Sequence, residues 1–274
     1  SNWMIVGYHE PTRHRYLKTN LHDSSPAAIV MGIGGKPKEL LNVDLVKQDQ
    51  VLVLKRFSGG GTVVLDYDSI WTTVIGRPDE FMSEHYPRPI MEWTANKIFG
   101  PLFARLGTSD ALLEKKTLVL DTKSCAVENT GRMITLPTGD VSIATPDFAL
   151  RENDYVLGER KIGGNAQSIT KSGFLHHTSF LWDFDHVNMD YLTLPEKRPD
   201  YRGDRSHDDF LVKLNSVYPA RTKSDFVTAL KEACEEEFQL EIAILRDVIK
   251  IVEQQGGMNE WFHKKSRTKI VTDF

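Results

Sequence analysis

The sequence predicts an α+β domain built on one mostly antiparallel sheet flanked by helices. Strand-like runs crowd the first 75 residues, and most links between them are too short for a helix, so antiparallel neighbours are expected. A second strand pair around a glycine turn follows at 154–162, and helical periodicity is confined to a few segments, chiefly 89–106 and the one opening at Ser224.

The elements follow in order. Asn2-Trp-Met-Ile-Val6 is a first strand. Pro26-Ala-Ala-Ile-Val-Met-Gly32 is an apolar run closed by glycine, and Gly32-Ile-Gly-Gly-Lys-Pro37 reads as a turn, because glycine and proline punctuate chains there. Gln50–Lys55, Thr62–Leu65 and the β-branched, aromatic Ile70–Ile75 are further strands. Ile90, Trp93, Ile98, Leu102 and Leu106 recur near a 3.6 period, and Gly100-Pro101 should kink or divide that helix. Asp154–Leu157 and Lys161-Ile162 flank Gly158-Glu-Arg160 as a hairpin. Pro195–Asp209 is a polar connection, and Ser224 can cap a helix with Phe226, Leu230, Ala233 and Cys234 on one face. Leu240–Val252 is apolar and ambiguous between helix and strand, and Gly256-Gly257 ends it.

Composition narrows function by exclusion. Lys plus Arg total 34 against 38 Asp plus Glu among 274 residues, a formal charge of −4 that argues against a basic nucleic-acid surface. No apolar run reaches the length of a membrane span. Cys125 and Cys234 form no C-x-x-C pair, which argues against a disulfide framework or a cysteine zinc site.

The sharpest motif is Lys55-Arg-Phe-Ser-Gly-Gly-Gly-Thr-Val-Val-Leu-Asp66. Three consecutive glycines let backbone N–H groups approach an anion with no Cβ in the way, and Arg56 stands beside them. It is no P-loop, because no Gly-Lys-Ser/Thr follows and the next segment is a strand. Considered alone it also fits a tight hairpin or bulge. In Asn153-Asp-Tyr-Val-Leu-Gly-Glu-Arg-Lys-Ile-Gly-Gly-Asn-Ala-Gln167, strand alternation would put Lys161, Gly163, Asn165 and Gln167 on one face, leaving room for a ligand beside the lysine. An exposed edge lysine is the plain alternative. His176 and His177 on a strand must point to opposite faces, so they form no joint metal site and read as hydrogen-bonded structural groups.

These segments together resemble the lipoate–protein ligase family and its lipoyltransferase relatives. Arg56-Phe-Ser-Gly-Gly-Gly-Thr62 and its following strand look like the family's glycine loop. Asn153-Asp154 with Lys161-Ile-Gly-Gly-Asn-Ala-Gln167 looks like its lysine segment, His176–Leu181 like the next strand, and Pro199–His207 like a segment of some members. The resemblance covers roughly residues 26–215. It implies a class II synthetase and biotin-ligase type of fold. It also implies a two-step reaction: ATP and lipoate give lipoyl-AMP and pyrophosphate, and a lysine of an acceptor domain then forms the amide. The implied acceptors are 2-oxoacid dehydrogenase E2 subunits or the glycine-cleavage H protein.

On that resemblance Lys161 is the catalytic charge between carboxylate and α-phosphate, not a nucleophile. Arg56, Ser58, Gly59, Gly60, Gly61 and Thr62 would hold the nucleotide, with Val63 and Val64 lining the nucleotide and acyl site and Asn153, Gly163 and Asn165 adding contacts. Mg2+ would ride on the phosphates, with Asp154 as a candidate ligand. Phe57 and Trp71 could cover the acyl chain or serve the core. Residues 1–274 are expected to form one catalytic domain with an insertion at 108–146, without a full C-terminal accessory domain, so that a separate accessory subunit or preformed lipoyl-AMP could be needed. A piece preceding Asn2 is expected to be missing. The acceptors place such proteins in the cytoplasm, or in mitochondria or plastids. The alternatives are an octanoyltransferase on the same scaffold, working through a cysteine thioester without ATP, and a non-catalytic lipoate sensor. Neither Cys125 nor Cys234 stands where that cysteine is expected, and Lys161 argues against a sensor.

Overall fold

The computed structural model describes residues 2–8, 27–77, 86–108, 147–194, 198–254, 256–260 and 267–274. The expected insertion at 108–146 lies outside them except for Thr108, and Cys125 lies outside them as well.

In chain order the elements are β1 (Trp3–Tyr8), β2 (Ala28–Met31), α1 (Pro37–Leu40), α2 (Val43–Gln48), β3 (Leu52–Lys55), β4 (Val63–Leu65) and β5 (Ser69–Gly76). Helix α3 (Pro87–Thr94) runs through a π-turn (Ala95–Phe99) into α4 (Gly100–Gly107). Strands β6 (Phe148–Arg151), β7 (Asp154–Leu157), β8 (Arg160–Thr170) and β9 (Gly173–Leu181) follow. Then come α5 (His186–Met189), a 3₁₀ turn (Asp200–Arg202), α6 (His207–Phe210), α7 (Leu214–Val217), α8 (Lys223–Glu237), α9 (Leu245–Gln254), α10 (Gly257–Glu260) and β10 (Lys269–Ile270).

The strands form two sheets. The larger is fully antiparallel, ordered β1-β5-β9-β8-β7-β6. Strict alternation along β9 buries every second side chain from Phe174 to Phe180 against the helices, and this one-sided burial fixes its register. Phe99, Leu102 and Phe103 of the α3–α4 run and Phe226 and Leu230 of α8 pack there on Tyr155, Ile162 and Phe180.

The smaller sheet, ordered β10-β3-β2-β4, departs from the antiparallel expectation: β2 and β3 run parallel. The crossover over 32–51 carries two short helices, with Pro37 at the start of α1 and the Asn42 side chain capping α2, where the sequence reads only as a turn. Val46 of α2 closes the second core, with Ile29, Met31, Val53 and Val64.

Three further points sharpen the expected elements. Gly100-Pro101 does not divide its helix. The Gly100 N–H bonds to Ala95 O, which makes the turn a π-turn, and the helix rewinds past the proline. A Cβ at Gly100 would lie 2.9 Å from Ala95 O, so glycine suits the tight turn. Helix α8 is capped by Thr222, not Ser224: Thr222 and Asp225 satisfy each other's backbone N–H groups as a capping box. The ambiguous 240–252 run is helical from Leu245 on and stops before Gly256 and Gly257, which have φ of +106° and +82°.

Candidate active site

The glycine loop spans the junction of the two sheets, between β3 and β4. It is fixed from both sides. Ile33 N–H donates to Ser58 O (3.0 Å), and Gly59 N–H donates to Gln167 O of β8 (2.9 Å), beyond the point where β7 ends. Gly60 has φ +113°, and a Cβ there would stand 2.6 Å from Asn165 O. Gly61 faces open space. Among the described residues, the N–H groups of Gly60, Gly61 and Thr62 donate to no backbone carbonyl. Ser58 Oγ, Thr62 Oγ1 and Arg56 Nε are buried without partners. So many unmet polar atoms in seven residues mark a place where a polar ligand belongs.

Arg56 braces this loop from within. Its Nη1 donates to Val30 O (3.1 Å), and its Nη2 to Gly59 O (3.3 Å) and Gly61 O (2.7 Å). Burial lowers its pKa to about 10, which leaves it cationic at neutral pH.

Lys161 comes from the hairpin of β7 and β8, closed by Gly158-Glu159 with Gly158 at φ +58°. Its Nζ pairs with Asp154 Oδ1 at 2.7 Å. The register slips between Tyr155 and Val156, so Tyr155 faces Gly163 while Val156 faces Lys161, and Ile162 is the extra, core-facing residue. This bulge overturns the expected alternation. The glycine beside Lys161 is Gly164, not Gly163. A Cβ on Gly164 would meet Lys161 Nζ at 3.4 Å and Val63 Cγ1 at 4.0 Å, whereas one on Gly163 would strike Phe180 Cδ1 at 2.9 Å in the core. The missing side chain of Gly164 thus leaves a space bounded by the lysine on one side and the strand after the glycine loop on the other.

The other candidate residues take different places. Val63 is half-buried and borders that space, but Val64 is only 5% exposed and belongs to the small-sheet core, because neighbours on a strand face opposite ways. Asn165 Nδ2 donates to Asn153 O (3.0 Å), and its Oδ1 accepts from Thr178 (2.7 Å), so these two asparagines tie β8 to the β6–β7 turn. Asp154 has both oxygens engaged: Lys161 holds Oδ1, and the Tyr201 hydroxyl donates to Oδ2 at 2.9 Å. Its contacts make it the partner of the lysine. Among the described residues no group of three His, Cys, Asp or Glu could hold a metal ion. Trp71 lies against Gly7 at the sheet edge.

His176 and His177 point to opposite faces, as expected. His176 is fully enclosed by Thr94, Tyr155, Gln167 and Thr178, and burial lowers its pKa to about 3. His177 bonds Thr73 Oγ1 at 2.6 Å; burial, then the charge of Arg56, lowers its pKa to about 4. Both rings are neutral at pH 7.

Sequence reasoning gave no role to the residues that cover the hairpin. Tyr201 N–H donates to Glu152 Oε1 (3.1 Å), and Arg205 Nη1 donates to Glu159 O (2.9 Å). Arg202 is 6% exposed and stacks on Phe210, with Nη2 unpartnered. The only signal was the Pro199–His207 segment itself; its contacts reach back some 50 residues and no local pattern shows them. A cleft of about 420 Å³ lies nearby between α5 and α6, lined by Met189, Leu192 and His207 among others, and contains neither the glycine loop nor Lys161.

The fold is of the lipoate–protein-ligase type. The crystal structure of lipoate-protein ligase A bound with ATP matches with a TM-score of 0.54 at 17% identity, over 88% of this chain and 80% of that one. A bipartite lipoate protein ligase from Thermoplasma acidophilum, described with its E2 lipoyl domain, gives 0.57 at 17% identity, over 88% and 78%. The chain belongs to the lipoyl protein ligase A/B catalytic domain family, whose model matches residues 20–239. It is similar to the inactive lipoate–protein ligase 2 of Plasmodium falciparum, 27% identical over 261 residues. That alignment covers 89% of this chain but 60% of the relative, so the chain spans about three fifths of its length. It is also similar to the octanoyltransferase LipM of Halalkalibacterium halodurans, 24% identical over 96% of this chain and 91% of that protein.

Proposed function

We propose that the chain is a lipoate–protein ligase that activates lipoate with ATP and transfers the lipoyl group to a lysine of an acceptor domain. The observation that carries this reading is the convergence at Gly164 of Lys161 Nζ with Val63, next to a glycine loop whose Gly60, Gly61 and Thr62 N–H groups meet no backbone carbonyl and whose Ser58 and Thr62 hydroxyls lack partners. In the first step a lipoate carboxylate oxygen attacks the α-phosphorus and the bond to the β-phosphate breaks, releasing pyrophosphate. Two anions must approach each other, and a fixed ammonium beside them lowers that barrier by stabilising the charge that builds up. Lys161 supplies it. Gly60, Gly61 and Thr62 N–H, with Ser58 and Thr62 hydroxyls, are the donors for the phosphates, held in shape by Arg56. In the second step the acceptor amine attacks the acyl carbon, the C–N bond forms, and AMP leaves.

Retained Lys161, paired and positioned, favours catalysis over mere lipoate sensing. An ATP-bound neighbour and one described with an E2 lipoyl domain support the choice of ATP and of lipoyl domains as substrates. Glycine-cleavage H protein is the other acceptor, and a separate accessory subunit a further partner. Mg2+ would arrive on the nucleotide, with Asp154 as the candidate carboxylate to hold it.

The relatives named octanoyltransferase make thioester transfer the second reading. Cys234 does not suit it: it is 2% exposed, and burial pushes its thiol up to about 11. Lipoate-dependent exchange of pyrophosphate into ATP by the pure chain tests the ligase. Exchange that survives Cys125→Ser supports it. No exchange, with octanoyl transfer abolished by Cys125→Ser, establishes the thioester route instead.

A further inference from the structure

Lys161 and Tyr201 share one carboxylate. Lys161 Nζ takes Asp154 Oδ1 at 2.7 Å, and the Tyr201 hydroxyl donates to Oδ2 at 2.9 Å. Asp154 is only 5% exposed, so water cannot readily replace a lost partner. The segment that brings Tyr201 in is clasped to both ends of the lysine hairpin. At one end Tyr201 N–H donates to Glu152 Oε1, in the turn before β7. At the other, Arg205 Nη1 donates to Glu159 O in the turn before β8, and its Nη2 donates to Tyr201 O at 2.6 Å. The Arg151 guanidinium stands 4.8 Å over the Tyr201 ring. Glu152 holds a left-handed backbone, φ +49°, which a residue with a side chain adopts at a cost and keeps where its surroundings demand it.

We propose that Tyr201 is a positioning residue for Lys161, acting through Asp154. With Oδ2 held by the phenol, the carboxylate cannot turn to offer both oxygens to the ammonium, and Nζ stays over Gly164. Burial, then the charge of Asp154, raise the pKa of Tyr201, which keeps it a donor at neutral pH. Without the hydroxyl, Oδ2 is a buried acceptor with no partner, and the Lys161–Asp154 pair rearranges. The effect on catalysis rests on the proposed ligase reading; the effect on the lysine does not.

The test is Tyr201→Phe, which keeps the ring over Arg151 and Phe210. Lys161 reactivity is read by mass spectrometry after pulse acetylation with N-hydroxysuccinimidyl acetate. Lys213, paired with Asp183 at the same 2.7 Å and similarly exposed, is the internal reference. The expected result is Lys161 labelling that falls about threefold or more relative to Lys213, because the freed carboxylate offers both oxygens to the ammonium and holds it protonated, and kcat for lipoyl transfer that falls about tenfold with KM for ATP little changed. Unchanged labelling and unchanged kcat overturn the proposal. A wild-type chain with no ligase activity whose labelling still falls in the variant sinks the ligase reading alone. Should Tyr201→Phe not fold, Glu152→Ala, which frees the Tyr201 N–H but keeps the phenol, must lower Lys161 labelling in the same direction; no fall there also overturns it.

Discussion

Strands β7, β8 and β9 carry a polar network on each face, and the two are built differently. On the helix-packed face the Tyr155 hydroxyl, Thr94 hydroxyl, His176 ring and Gln167 amide bond one another and the carbonyls of Met91 and Pro87. No member is charged at neutral pH, since burial raises the pKa of Tyr155 and lowers that of His176. On the other face stand the charged pair Lys161–Asp154, the half-buried Arg56 and a loop with unpartnered hydroxyls. A closed neutral network completes a core; an open charged one keeps bonds in reserve for a ligand.

Neighbouring glycines offer the sharpest way to break that comparison. Gly164→Val inserts a side chain between Lys161 and Val63, and lipoyl transfer should fall about 100-fold or more while the melting temperature moves little. Gly163→Val drives into Phe180, and the main outcome should be a stability loss of about 1–3 kcal/mol by denaturant unfolding. If both variants lose stability and activity alike, the two faces do not have separate roles.

Tyr155→Phe removes a hydroxyl from the closed network and leaves Thr94 and His176 to find new partners. A loss of about 1–3 kcal/mol is expected with KM for ATP little changed.

A smaller effect separates the faces by pH. Folded His176 titrates at about 3 and folded His177 at about 4, against 6.5 for the unfolded rings. As pH falls below 6.5 the unfolded chain takes up protons that the folded chain refuses. The stability these rings contribute is therefore complete above pH 6.5 and lost progressively toward pH 4, by about 1.4 kcal/mol per unit for each ring. His176→Asn should flatten the slope of stability against pH by about one ring's share. An unchanged slope would mean that the ring already protonates in the fold.

Much of this was legible in the sequence, because strands β1 to β5, the glycine loop and the hairpin are local features. Four things were not. The bulge at Ile162 depends on how β8 meets β7, and periodicity alone therefore assigned the wrong glycine to Lys161. The parallel pairing of β2 and β3 hid in a crossover whose glycines and prolines read as a turn. Val64 was placed in the site because the motif runs through it, yet strand alternation turns it into the core. Tyr201 reaches Asp154 from 47 residues away, a contact that no local pattern encodes.

The central claim is that the charge over Gly164 does the chemistry. The direct measurement is lipoyl transfer from lipoate and ATP to a purified E2 lipoyl domain, wild type against Lys161→Ala, with both melting curves recorded. The account predicts a rate at least about 100-fold lower in a variant that still melts cooperatively, though at a lower temperature because buried Asp154 loses its ammonium partner. A variant that folds and transfers at near wild-type rate would contradict it.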